Sequence, residues 1–288
     1  MAEIWVTRVG AGDAGESMAS EAAPWLERFA RLGYAAIGVV YVLIGVLAVR
    51  AAIGSGGATT DTRGALRSIA DGPAGRGLVL VIGVGLIGYA LWQLLAAAKD
   101  AEGEGSDAKG IAKRLGRAGR AIIAGALGTE ALRLALTAAS AGGDQTRHWT
   151  ARLLAAPYGR WVVIAAGAGV ILYALYQFYR AAGDEVDEKL DLTSLSRRGA
   201  IWIARFGRFG IAARGIVFAL VGWFLVQAAL NYDPQRAGGI GQSLATLMRQ
   251  PHGQLVLGIV AVGLIAFGLF QFANARYRSI RAERAVAG

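Results

Sequence analysis

The sequence predicts an all-α, polytopic membrane protein: six transmembrane helices folded as three tandem hairpins with pseudo-threefold symmetry about the membrane normal. Three observations carry that reading. Hydrophobic residues make up 55% of the 288 and charged residues only 17%, against about 25% charged in an ordinary soluble domain. Six apolar runs are each long enough to cross a bilayer, which takes about 20 residues at 1.5 Å rise. Short motifs also recur three times at matching positions, the mark of an internal repeat.

The elements follow in chain order. Residues 1–23 carry Asp13, Glu16 and Glu21 and no uninterrupted apolar core, so they read as a mobile tail rather than a cleavable signal peptide. Hairpin 1 occupies 24–100, with spans at Leu32–Ala52 and Gly77–Ala98. A linker at 101–107 leads to hairpin 2 (108–182), with spans at Arg117–Ala139 and Trp161–Tyr179. A charged cytoplasmic linker at 183–202 precedes hairpin 3 (203–278), with spans at Phe209–Leu230 and Gln254–Asn274; residues 279–288 form a basic tail. The runs are rich in Gly, which lets neighbouring backbones approach closely in a membrane.

Orientation comes from the flanking bases. Eighteen Lys and Arg lie at one set of span ends and nine at the other, which places both termini in the cytoplasm. Arg outnumbers Lys by 26 to 4 and Ala and Gly abound, as in chains from GC-rich bacterial genomes. The expected location is therefore the bacterial inner membrane.

The repeat is explicit. R-[FL]-[AG]-R-x-G precedes each odd span, at Arg28, Arg114 and Arg205; P-x-G-[RQ] opens each even span, at Pro73, Pro157 and Pro251. Twelve residues after each Pro stands a Gly (Gly85, Gly169, Gly263), followed at four-residue steps by an aromatic (Tyr89, Tyr173, Phe267) and a Gln (Gln93, Gln177, Gln271). Each copy crosses twice, so all share one topology about an axis along the membrane normal. The outer loops each hold a short amphipathic segment, at 65–70, 149–154 and 242–248, expected on the outer membrane surface or across the hairpin mouths.

Several stretches are distinctive: R-x-x-R-x-G-Y-A-A-x-G-V-V-Y at Arg28–Tyr41, D-x-R-G-A-L-R at Asp61–Arg67, W-T-A-R-L-L-A-x-P-x-G-R at Trp149–Arg160, and G-x-A-A-R-G-[IV]-V-F-A-L-[IV]-G-W-F at Gly210–Phe224. On these the chain resembles the bacterial membrane proteins grouped as domain-of-unknown-function family 1206, from Pro24 to Arg278. The resemblance implies three tandem two-helix domains and no activity.

Candidate intramembrane polar residues are Glu130, Arg133, Arg214, Gln93, Gln177 and Gln271. Glu130 and Arg133 stand where the sibling repeats have Ile44 and Leu47, or Val221 and Phe224. Three apart, they share a helix face and are expected to pair. Arg214 can snorkel to the inner interface. The three Gln would form either a polar ring on the axis or hydrogen-bonded packing contacts. The paired arginines Arg28, Arg31, Arg114, Arg117, Arg205 and Arg208 are candidate contacts for anionic lipid headgroups, or serve topology alone.

No catalytic signature is present: no H-E-x-x-H, no phosphate-binding Gly loop, no G-x-S-x-G. His148 and His252 lack companions at metal-ligand spacing. The expectation is no enzyme, no metal, no cofactor and no nucleic-acid partner, since a charge of +10 suits nucleic acid but this apolar content does not. The absence of Cys excludes disulfides and thiolate chemistry. What remains is a membrane scaffold or a lipid- or partner-binding protein; the alternative is a transporter or channel using the threefold interior and Glu130/Arg133. A packed apolar axis would favour the first, and a polar cavity reaching Glu130 the second.

Overall fold

The computed structural model describes residues 11–55, 59–99, 105, 107–137, 145–183 and 197–278, with the backbone alone for 11–26, 108, 109, 112, 145 and 197. Among the described residues the fold is entirely helical: α1 (Ala11–Ala52), α2 (Thr62–Ala70), α3 (Gly75–Ala98), α4 (Ala108–Thr137), α5 (Gln145–Leu154), α6 (Gly159–Ala182), α7 (Arg197–Leu230), α8 (Ile240–Met248) and α9 (Gly253–Tyr277). The expected N-terminal tail lies outside the described residues as far as residue 10; from Ala11 the backbone is helical. The basic tail at 279–288 and most of both linkers also fall outside them.

Five helices are long and apolar enough to cross a membrane: Glu27–Ala52, Gly75–Ala98, Gly159–Ala182, Arg198–Leu230 and Gly253–Tyr277. The helix of the expected third span, α4, is not among them. Its sequence carries Lys113, Arg114, Arg117, Arg120, Glu130 and Arg133, which interrupt the apolar run. The other long helices are apolar on both sides, the pattern of a helix with no water-facing stripe. On α9, Leu257, Val260 and Leu264 are buried while Leu255, Ile259, Val262 and Leu269 are more than half exposed. Exposed aromatics gather near the helix ends, with Tyr158, Trp161 and Tyr232 at one side and Tyr179 and Trp202 at the other. Trp and Tyr favour the membrane–water interface.

The three P-x-G turns are built alike. The middle residue, Ala74, Tyr158 or His252, takes a left-handed conformation with φ 57°, 62° and 60°. The Gly that follows then passes so close to the preceding short helix that an added Cβ would collide with the carbonyl of Ile69, Leu153 or Met248. No side chain fits there, which is why the motif keeps Gly at that position.

α2, α5 and α8 are the short amphipathic helices of the loops that join α1 to α3, α4 to α6 and α7 to α9. α2 is capped by Asp61, whose Oδ1 accepts from the Gly64 N–H at 2.9 Å, a cap worth about 1 kcal/mol. Leu66 of α2 and Leu244 and Leu247 of α8 are buried in one core with Val40, Ile44, Ala131, Val217 and Leu257. These two helices therefore close the mouth of the bundle rather than lie on its surface.

Long-helix packing follows a rule with one exception. α3 lies along α4, α6 along α7, and α9 along α1, so each hairpin's second helix packs on the next hairpin's first. Within hairpins, α1 lies along α3 and α7 along α9, but α4 and α6 are not packed together. The helices thus form a ring in the order α4, α3, α1, α9, α7, α6, with one open seam. Small residues make the closed contacts possible: a Cβ on Gly38 would lie 2.9 Å from the Gly268 carbonyl oxygen, and one on Gly222 2.8 Å from that of Gly167.

Candidate functional site

The interior is organised around Arg214 on α7. Its Nε donates to Tyr41 Oη on α1 at 3.1 Å. Its guanidinium lies 4.7 Å from the Phe218 ring centre, 4.8 Å from Phe267, 5.5 Å from Tyr41 and 5.8 Å from Tyr173. Those rings come from all three repeats. They also pack edge-to-face with one another, Tyr41 on Phe267 at 4.8 Å and Tyr173 on Phe218 at 5.7 Å. Arg214 thus sits half-buried in an aromatic cage, in place of the snorkelling geometry that its position suggests. Each ring contributes on the order of 0.5–2 kcal/mol of cation–π attraction, which offsets part of the cost of a cation with no carboxylate partner among the described residues.

Glu130 also finds a partner that the sequence does not suggest. Its Oε2 lies 3.9 Å from Nη2 of Arg63, with both side chains about four-fifths buried (19% and 21% exposed). Arg63 stands on α2, which crosses onto α4. Arg133 is exposed, and among the described residues no ion pair joins it to Glu130. The expected intrahelical pair is therefore replaced by one between repeats. A helix face shared at three-residue spacing permits a pair but does not compel one; the fold of the loop between α1 and α3 brings a closer cation.

The three Gln are buried, at 1%, 1% and 8% exposure, and form no shared ring. Gln93 Nε2 donates to Tyr89 Oη at 3.2 Å, and Gln271 Oε1 accepts from Asn274 Nδ2 at 3.3 Å. Both bonds stay on the residue's own helix. Gln93 Oε1 and Gln177 Oε1 have no partner among the described residues.

The repeated arginines divide by role. Arg31 Nη1 donates to the Ala275 and Arg276 carbonyls at 2.7 and 2.8 Å, while its Nε and Nη2 bind Glu27. Arg114 donates to Ala97 and Ala98 at 2.7 and 3.1 Å. Each closes the C-terminal end of the helix packed beside it, satisfying carbonyls that the last turn leaves open and complementing the helix dipole. Arg117 is buried and Arg208 half-buried, whereas Arg28 and Arg205 are exposed. Sequence reasoning missed the capping role because the partner helix ends are distant in sequence. Arg31→Gln is expected to lower stability by about 1–2 kcal/mol, discounted for partial exposure from the value of a charged hydrogen bond. Thermal unfolding in detergent measures it; an unchanged melting temperature would contradict the capping role.

Among the described residues no group of three His, Asp or Glu is placed to hold a metal. Five helices long and apolar enough to span a bilayer, with large apolar side chains exposed along them, define the class: a multi-span helical membrane protein. The chain belongs to the DUF1206 family (Domain of Unknown Function), whose model matches it three times, over residues 32–100, 115–184 and 209–278. Each match takes in two of the long helices: α1 and α3, α4 and α6, α7 and α9. Over 242 residues it is 38% identical to the uncharacterised protein YxxB of Bacillus subtilis (strain 168), covering 84% of this chain and 87% of that one. No solved structure matches.

Proposed function

We propose that the chain is a six-span protein of the bacterial inner membrane, with three hairpins about a pseudo-threefold axis and both termini in the cytoplasm. In this reading α4 is the third span in chain order, with Glu130 turned to α2, Lys113, Arg114, Arg117 and Arg120 at the inner interface and Arg133 near the outer end of the helix, and the protein is a non-catalytic scaffold that holds lipid or a membrane partner. The observation that carries it is the packed interior. Ile44, Leu66, Val217, Leu244 and Leu264 join one core, and Tyr41, Phe218 and Phe267 enclose Arg214. A conducting pathway needs a wettable route; a core of apolar side chains packed on one another supports a scaffold instead. Transport remains the second reading because Glu130 and Arg214 place charges within helices, where they default to function.

Two measurements test the proposal. Vesicles containing the purified protein are expected to be no more permeable to protons, potassium or small anions than protein-free vesicles. Flux abolished by Glu130→Ile would overturn the scaffold reading in favour of transport. Cysteine at Gly57, Gly143 or Gly239 in this Cys-free chain is expected to label from the periplasm. Labelling at the Glu104 position instead, with these three protected, would reverse the topology.

A further inference from the structure

The open seam between α4 and α6 is where one hairpin departs from its siblings. In hairpin 1, Gly33 is pressed against Tyr89 and Gly85 against Leu32, whose carbonyl oxygen would lie 3.0 Å from an added Cβ. In hairpin 3, Gly210 is pressed against the backbone of Phe267 and Gly263 against Ala213. The matching residues of hairpin 2, Gly119 and Gly169, have nothing within 4 Å of an added Cβ. By helical register Ile123 shares the face of Gly119 and Leu172 that of Gly169, and both lack cover, at 58% and 66% exposed. At the seam's inner end stand Arg120 and Arg180. The Arg180 guanidinium lies 6.0 Å from the ring centre of Tyr176 on its own helix. Arg120 donates to its own helix at Gly116, and neither Arg120 nor Arg180 has an ion-pair partner among the described residues.

We propose that this seam binds one anionic phospholipid, its phosphate between Arg120 and Arg180 and its acyl chains against Gly119, Ile123, Gly169 and Leu172. The proposal deepens the scaffold reading, and it rests on that reading's topology only for assigning the lipid to the cytoplasmic leaflet. Charge selects the occupant. A second copy meeting at the same seam would bring its own Arg120 and Arg180 against these, a like-charge contact. Free phosphate would leave the apolar wall bare, whereas a phospholipid satisfies both the arginines and the wall.

Native mass spectrometry of the full chain in mild detergent, titrated with phosphatidylglycerol or phosphatidylcholine, tests it. The wild type is expected to retain one phosphatidylglycerol in roughly tenfold or greater preference, as two bases near an anionic headgroup provide. R120Q/R180Q should remove the preference. Gly169→Leu, whose side chain enters open space, should lower retention of both lipids while leaving helicity and melting intact. Equal wild-type retention of the two lipids would overturn the proposal. So would displacement of phosphatidylglycerol by millimolar inorganic phosphate, or a lipid-free dimer. Should R120Q/R180Q fail to fold, the wild-type preference and Gly169→Leu decide. Lipid retention does not depend on orientation or flux, so this outcome is separable from failure of the topology or scaffold readings.

Discussion

Gly33→Ala and Gly210→Ala are expected to destabilise the protein by about 2–4 kcal/mol, the upper range for overpacking a tight interface, while Gly119→Ala leaves it unchanged or slightly more stable. The three positions are equivalent in the repeat, so sequence alone assigns them one effect. The structure assigns two. A Cβ on Gly33 meets Tyr89, and one on Gly210 meets the backbone of Phe267, which cannot move without shifting α9. At Gly119 the Cβ meets nothing, and Ala is the better helix former by about 1 kcal/mol in water. Thermal unfolding of the three variants in one detergent reads the difference. Equal losses at all three would mean that α4 and α6 pack like the other hairpins.

The second large effect lies at Glu130. Removing one partner of a fully buried ion pair costs about 3–5 kcal/mol. With both side chains about one-fifth exposed and the atoms 3.9 Å apart, Glu130→Gln or Arg63→Gln should cost roughly half that, about 1.5–2.5 kcal/mol. The double variant should lose less than the sum, since neither charge is then left alone. Arg133→Leu should be neutral or stabilising, because Arg133 is exposed on a helix whose neighbours Ile122 and Leu136 are also exposed and apolar. Coupling between 130 and 133, with none between 130 and 63, would restore the intrahelical pair.

The architecture was legible because its signals are local and repeated. Apolar runs gave five of the helices that fit a membrane crossing. The P-x-G turns and the short amphipathic helices before them recur at fixed spacing, and the turns owe their Gly to a carbonyl packed against it. What stayed hidden depends on contacts distant in sequence. Arg63 reaches Glu130 only because α2 crosses onto α4, and Arg31 caps α9 only because the last helix returns to the first. Arg214 reads as a snorkelling cation by depth, but its cage needs Tyr41, Tyr173 and Phe267 from separate repeats. The open seam was the least readable feature, since Gly119 and Gly169 keep the residue type of packed positions without the packing.

A ring of three hairpins with one of them open is measured directly by distances between paired spin labels. The sites are equivalent and exposed in each hairpin: Phe29 with Leu91, Leu115 with Leu175, and Phe206 with Leu269. Double electron–electron resonance on Cys variants in lipid nanodiscs should give similar distances for the first and third pairs. The 115/175 distance should be longer by about 5 Å or more, half the diameter of a helix. Three equal distances would contradict the open seam and the reading of the fold built on it.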